Sequence, residues 1–240
     1  MTDAAKAKVL IVGVGGLGCP ASLALAKGGV RRLTLMDPDK VDVTNLHRQP
    51  WHRGSDVGRL KVESAADGLR EAFPGIQVET RAERLTAQNA EALFRAHDLV
   101  VDATDTPSDK FLLSDAAVLT GTALVHGGAL RLSGQAMLVR KGGPCLRCLF
   151  ETPPLAEACA QVGVLGSVTG VVGAYQALLG LQALGLISAA PQDEEGVEPL
   201  WTFDGATLSQ RKVPVRRAKD CKACAEGAQV VLKDAGAEAC

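Results

Sequence analysis

The sequence predicts an α/β fold: a doubly wound, mainly parallel sheet extended by antiparallel strands, with a four-cysteine zinc knuckle. Three observations predict it. Short β-rich runs alternate with helical stretches through the first half of the chain. A glycine-rich turn follows the first apolar run. Two Cys-x-x-Cys pairs, Cys145/Cys148 and Cys221/Cys224, bracket residues 149–220 and tie the end of the chain to its middle.

Residues 9–12, 33–36, 77–80, 99–102 and 123–126 are short β-rich runs that read as strands. Residues 17–27, 59–72, 87–95 and 108–120 carry the helical pattern between them. Strands separated by helices imply parallel pairing with helices on both faces. Residues 134–139 alternate differently and extend the sheet antiparallel. The polar, proline-bearing stretch 151–161 comes next. After it, residues 162–190 carry no charge at all. That run is long enough to span a bilayer, but Ser167, Thr169, Gln176, Gln182 and Ser188 interrupt it and no Lys or Arg flanks it closely. It reads as a helix buried in the protein or in a dimer interface. Residues 191–198 read as a loop, 200–203 and 208–213 as strands, and 225–240 as a small polar tail, partly disordered, in which Cys240 has no role.

Bulk properties bound the function. The 240 residues fit one large domain, placed at 1–224. A net charge of −1 with both signs interspersed leaves no electrostatic footprint for nucleic acid. The first strand begins within ten residues of Met1, and with seven cysteines and no export signal this points to a reducing cytoplasm.

The first strand runs straight into Gly13-Val-Gly15-Gly16-Leu-Gly18, and a helix follows. Glycines there let the backbone turn sharply and approach a pyrophosphate, with the N–H groups of the new helix facing its charge, as in Rossmann-like nucleotide folds. Asp37 closes the second strand nineteen residues after Gly18, where a carboxylate can accept from ribose hydroxyls. The loop alone fits NAD as well as ATP. The next segment favours ATP: Asn45 and Arg48 follow the second strand, and Lys61 opens the next helix after Gly58. Two cations beside one phosphate site suit a triphosphate, whose charge must be neutralised before a nucleophile reaches the α-phosphorus. At the carboxyl end of the fourth strand, Asp105 is a candidate magnesium ligand, while Asp102 caps or orients the turn.

Four thiolates at two short spacings suit one tetrahedral zinc ion with no open position for water. Disulfides fit poorly without export, and a redox role would require two such pairs to arise separately. Cys19, on the helix after the glycine loop, reads as a packed small residue.

Together these residues resemble the MoeB/ThiF/HesA family of adenylyltransferases, relatives of ubiquitin-activating enzymes. The resemblance rests on Gly13–Gly18, Asp37, Asn45-Leu-His-Arg48-Gln49, Gly58 to Lys61, Asp102-Ala-Thr-Asp105, the Cys145/Cys148 knuckle, Cys159 with Gly163-Val-Leu-Gly166, and the Cys221/Cys224 pair. Its pattern is most similar to molybdopterin-synthase adenylyltransferase. The resemblance implies that Gly13, Gly15, Gly16 and Gly18 surround the nucleotide phosphates, Asp37 takes the ribose, Asn45, Arg48 and Lys61 take the phosphates, and Asp105 takes magnesium. It implies that the terminal glycine carboxylate of a β-grasp sulfur carrier ending in Gly-Gly attacks ATP, giving an acyl-adenylate and pyrophosphate. A homodimer is implied, with sulfur supplied by a separate protein. Cys159 matches the loop cysteine that some members use covalently. Ala156-Glu-Ala-Cys159-Ala-Gln161 offers no cation to lower its pKa, so a loop cysteine without catalytic duty is the preferred reading.

Departures from the family pattern concern activity. The usual arginine-bearing segment before the first strand is missing from the sequence, Asp105 is followed by Thr106, Lys110 replaces an arginine, and Ser167 a proline. Lysine cannot reproduce a bidentate arginine fork. Arg53 or Arg59 could compensate. The rival readings are a non-catalytic module that only docks the carrier and, resting on the glycine loop alone, an NAD-dependent oxidoreductase.

Overall fold

The computed structural model describes residues 4–153, 163–189 and 194–234. In chain order β1 (Lys8–Val12) leads to α1 (Gly18–Lys27), β2 (Arg32–Met36), α2 (Lys61–Ala72), β3 (Gln77–Arg81), α3 (Ala90–Arg95) and β4 (Leu99–Asp102). There follow α4 (Pro107–Thr120), β5 (Ala123–Leu130), β6 (Ser133–Val139), α5 (Gly166–Ala183), β7 (Val197–Asp204) and β8 (Ser209–Arg216). Eight strands form one sheet in the order β3-β2-β1-β4-β5-β6-β7-β8. The first five are parallel, and β6, β7 and β8 extend them antiparallel.

Alternation along the strands divides the core in two. Val9, Ile11, Leu33, Leu35, Leu99 and Val101 face the side covered by α1, α2 and α5. Leu10, Val12, Met36, Val100, Leu124 and Met137 face the side of α3, α4 and the cysteine knuckle. Strands buried on both faces explain the near-continuous aliphatic runs read from the sequence. Strand order reverses at β1, whose neighbours are β2 and β4, with Val12 in register with both Met36 and Asp102. Such a switch point opens a crevice beyond the carboxyl ends of the strands.

The uncharged stretch forms α5, which packs on α1, β5 and β6. Its buried face includes Val168, Val172, Ala177 and Leu181. No helix among the described residues is long and apolar enough to cross a membrane.

Several boundaries differ from expectation, each because of a specific partner. β5 continues four residues beyond His126, because Gly127 to Leu130 pair antiparallel with β6. β7 begins at Val197, so Glu198 belongs to a strand rather than the loop, its carboxylate held by Arg140. α3 starts at Ala90, not 87, since Thr86 and Asn89 bond reciprocally in a preceding turn. The tail is packed as far as described: Ala225, Val230 and Leu232 lie against the α4-side core, and Asp234 accepts from the Ala87 N–H at 2.6 Å. Residues 235–240, with Cys240, lie outside the described residues.

Candidate functional site

The carboxyl ends of β1, β2 and β4 open onto a cleft of about 590 Å³. Its floor is the glycine loop. Gly13 has φ +92°, and a Cβ there would lie 2.5 Å from the Ala103 carbonyl oxygen, so both backbone conformation and contact demand glycine. Gly15 and Gly16 line the cleft with it. Gly18 does not: it opens α1, and a Cβ would meet the Gly13 oxygen at 2.0 Å, so its role is close packing beneath the loop.

Asp37 is held at the end of β2, 6% exposed. Its Oδ2 accepts from the Val14 N–H at 2.7 Å and its Oδ1 from the Asp39 N–H at 2.8 Å. Burial pushes its carboxyl up, and the Lys61 cation is the chief opposing influence. The single-turn helix at Val43–Asn45 is capped by Asp42, which accepts from the Thr44 N–H at 2.8 Å. That turn places Asn45 and Arg48 on the cleft wall, with Arg48 Nη2 donating to Asn45 Oδ1 at 2.5 Å. Lys61 reaches the same cleft from the start of α2, its ammonium 2.8 Å from the Asp39 carboxylate. The two cations thus stand pre-oriented in one cavity with Asp37 and Asp105. Arg53 and Arg59 do not line it. They pair with Glu71 and with Asp56 and Asp67, so neither guanidinium is placed in the cleft.

Asp102 is fully buried at the end of β4. Its Oδ1 accepts from the Thr104 N–H at 3.1 Å and hydroxyl at 2.7 Å, which sets the turn leading to Asp105. Its Oδ2 accepts from His126 Nδ1 at 2.8 Å, and Lys110 Nζ lies 3.2 Å from Oδ1. Burial alone would raise the Asp102 carboxyl, but Lys110 and then His126 and Thr104 outweigh it and hold it at about 2. Burial pushes the His126 imidazole down, keeping it neutral beside the ionised aspartate. From α5, Gln176 donates to the Asp102 carbonyl at 2.7 Å. Sequence reasoning assigned no role here to His126 or Gln176, and noted Lys110 only as a departure. The available signal was register, since Asp102 and His126 are Cα partners on neighbouring parallel strands.

The four cysteines of the two pairs converge. Their sulfurs all lie within 4.8 Å of one another, with Cys145 to Cys221 at 3.6 Å and Cys148 to Cys224 at 3.3 Å. Disulfide bonding requires about 2.05 Å, so none is bonded. Tetrahedral zinc with Zn–S bonds of about 2.3 Å puts sulfurs roughly 3.8 Å apart, which these positions fit. The Cys148 and Cys224 sulfurs push the Cys145 thiol up, with burial adding. The knuckle is fastened to α4: Arg147 makes paired 2.8 Å bonds to the Asp115 carboxylate, and the Leu146 N–H donates to Ser114 Oγ at 3.1 Å. No cysteine of this cluster lines the cleft. Cys19 is fully buried and its thiol is pushed up to about 12, mainly by that burial. Cys159 falls outside the described residues.

Comparison with known proteins adds family relationships. The ThiF family profile matches residues 1–224. A Culex quinquefasciatus protein named adenylyltransferase and sulfurtransferase MOCS3 is 45% identical over 92% of this chain and 50% of its own length. An Aspergillus terreus adenylyltransferase and sulfurtransferase, uba4, is 43% identical over 95% of this chain and 49% of its own. The chain therefore spans about half the length of these relatives. Escherichia coli MccB, solved with ATP, shares the fold with a TM-score of 0.77 at 20% identity, covering 92% of this chain and 68% of that one.

Proposed function

The chain belongs to the ThiF family, and from that premise we propose that it is an ATP-dependent adenylyltransferase. Its substrate is the C-terminal glycine carboxylate of a small, ubiquitin-like β-grasp sulfur carrier ending in Gly-Gly. The observation that carries this reading is the convergence of Arg48 and Lys61 on the cleft that holds the glycine loop, Asp37 and Asp105. A dinucleotide needs no second cation beside its pyrophosphate; in-line attack on a triphosphate does. The names of the MOCS3 and uba4 relatives support the same activity.

A carboxylate oxygen of the carrier attacks the α-phosphorus of ATP. The bond from that phosphorus to the oxygen bridging to the β-phosphorus breaks, and pyrophosphate leaves with the electron pair. The nucleophile comes from the carrier, so the protein's task is positioning and charge stabilisation. Asp37 accepts from the ribose hydroxyls, while Arg48 and Lys61 turn their donors from Asn45 and Asp39 toward phosphate oxygens. Asp105 offers the hard carboxylate oxygen that suits magnesium, which when bound neutralises phosphate charge. The four thiolates of Cys145, Cys148, Cys221 and Cys224 would hold zinc as a structural ion. The protein acts as a homodimer in a reducing, cytoplasmic setting.

The test is pyrophosphate exchange into ATP with candidate carriers, each compared with a version lacking its terminal glycine. Exchange that depends on that glycine and is lost in Asp105→Ala is expected. Carrier binding without exchange under any ATP or magnesium condition would replace this reading with a docking module.

A further inference from the structure

We propose that His52 is a positioning residue of the nucleotide site, holding the glycine loop in its binding shape through the Val14 carbonyl. The inference rests on the nucleotide-binding part of the reading above. Val14 lies between Gly13 and Gly15, where neighbouring glycines restrain the peptide planes least. Its peptide groups are gripped on both sides. The Val14 N–H donates to Asp37 Oδ2 at 2.7 Å, and the Val14 carbonyl faces His52 Nε2 at 3.2 Å.

A carbonyl only accepts, so Nε2 must carry the imidazole proton. Nδ1 then accepts from the Ser64 hydroxyl at 2.9 Å. His52 is 5% exposed, and burial pushes its pKa down, which favours the neutral imidazole, while the Val14 carbonyl selects the tautomer. The consequence for ligand binding follows from peptide geometry. No peptide bond among the described residues is cis, and in a planar trans peptide the N–H points opposite to the carbonyl. With the Val14 carbonyl turned inward to His52, the Gly15 N–H of the same peptide is turned outward. Gly15 lines the cleft, so this donor faces the phosphate position.

The support behind His52 is rigid. Trp51 Nε1 donates to the Cys19 carbonyl at 3.1 Å and to Ser22 Oγ at 2.9 Å, fastening the segment to α1. On its other side Trp51 packs so closely on α2 that a Cβ at Gly68 would lie 2.7 Å from its ring. Ser64 stands three residues after Lys61 on α2. One helix therefore carries both a cleft cation and the partner that orients His52. Cys19 Sγ also approaches the Val14 carbonyl, at 3.4 Å, but a thiol is a weak donor.

The test uses His52→Gln, whose amide nitrogen reaches about as far as Nε2, and His52→Asn, whose amide reaches only as far as Nδ1. Affinities for ATP with magnesium and for adenosine are measured by calorimetry on the full chain without carrier, with melting temperatures alongside. His52→Gln should stay within about threefold of wild type for ATP, while His52→Asn weakens ATP about tenfold and adenosine little, as expected for losing one phosphate-loop contact. Equal loss of ATP and adenosine affinity, or wild-type ATP affinity in His52→Asn, would overturn the proposal. So would a His52→Gln variant as weak as His52→Asn. Since the probe is carrier-free binding, absent pyrophosphate exchange would sink the adenylation reading alone.

Discussion

Lys110 reaches from the first turn of α4 to the end of β4, where its ammonium lies 3.2 Å from Asp102 Oδ1 and 2.6 Å from the carbonyls of both Thr104 and Gly127. One side chain thus ties together α4, the turn leading to Asp105, and β5. It also supplies the counter-charge that lets a fully buried aspartate stay ionised. Breaking such a pair by removing one partner is costly because the other charge is stranded.

Acid stability should report that pair. The folded-state pKa of Asp102, about 2, lies below its ordinary 3.8, so its contribution is fully present above about pH 4 and is lost as pH falls toward 2. The contribution is about 2 kcal/mol at neutral pH. In Lys110→Met, burial of Asp102 is no longer offset by the ammonium and its pKa rises. The acid-unfolding midpoint, followed by circular dichroism, should move upward in pH. An unchanged midpoint would show that Lys110 does not carry the ionisation of Asp102.

A second pH window belongs to His126. Burial lowers its folded-state pKa below 6.5, so the unfolded chain binds the extra proton first and stability is lost as pH falls below 6.5. One such group contributes a slope of at most about 1.4 kcal/mol per pH unit. His126→Gln should flatten the unfolding free energy as pH falls below about 6.5, measured by urea titration. The flattening should be partial, because His52 is shifted in the same direction.

The zinc cluster should separate stability from chemistry. Cys221→Ser removes one of four ligands from a site that fastens the end of the chain to α4. Bound zinc by elemental analysis should fall from one per chain to well below one, and the melting temperature should drop by several degrees. The surviving folded fraction should bind ATP normally, since no cysteine of the cluster touches the cleft. A normal zinc content in this variant would contradict the four-thiolate site.

The legibility of these features follows their range along the chain. The glycine loop, Asp37 and the Asp102 turn are local, set by residues a few positions apart, and the sequence pattern exposes them. Arg48 and Lys61 were legible as cations behind that loop, although their meeting in one cleft needed the fold. His126, Gln176 and His52 were opaque because each acts across distant elements: His126 by parallel register with Asp102, Gln176 from α5 to the Asp102 carbonyl, His52 from a loop to Val14. In the sequence Gln176 weighs only against a membrane span, yet it bonds the Asp102 carbonyl at the start of the turn leading to Asp105. The glycines after His126 read as a strand end because glycine weakens isolated strands. Only the antiparallel partner β6 reveals that β5 continues through them.

Lys61 offers the sharpest separation of binding from rate. Its side chain is 9% exposed, whereas its partner Asp39 is 59% exposed, so Lys61→Met leaves Asp39 solvated by water and costs buried Asp37 its chief offsetting cation. Folding should survive, with a melting temperature within a few degrees of wild type. If Lys61 takes the phosphates as proposed, its removal costs about 10²–10³ in rate by comparison with single oxyanion donors. Pyrophosphate exchange in Lys61→Met should fall by that factor, and ATP affinity by much less, because the lysine acts most strongly on charge that appears in the transition state. Equal losses in affinity and rate would place Lys61 in uniform nucleotide binding. Lys61→Arg should recover only part of the rate, since the broader guanidinium must fit where a compact ammonium was already buried against Asp39.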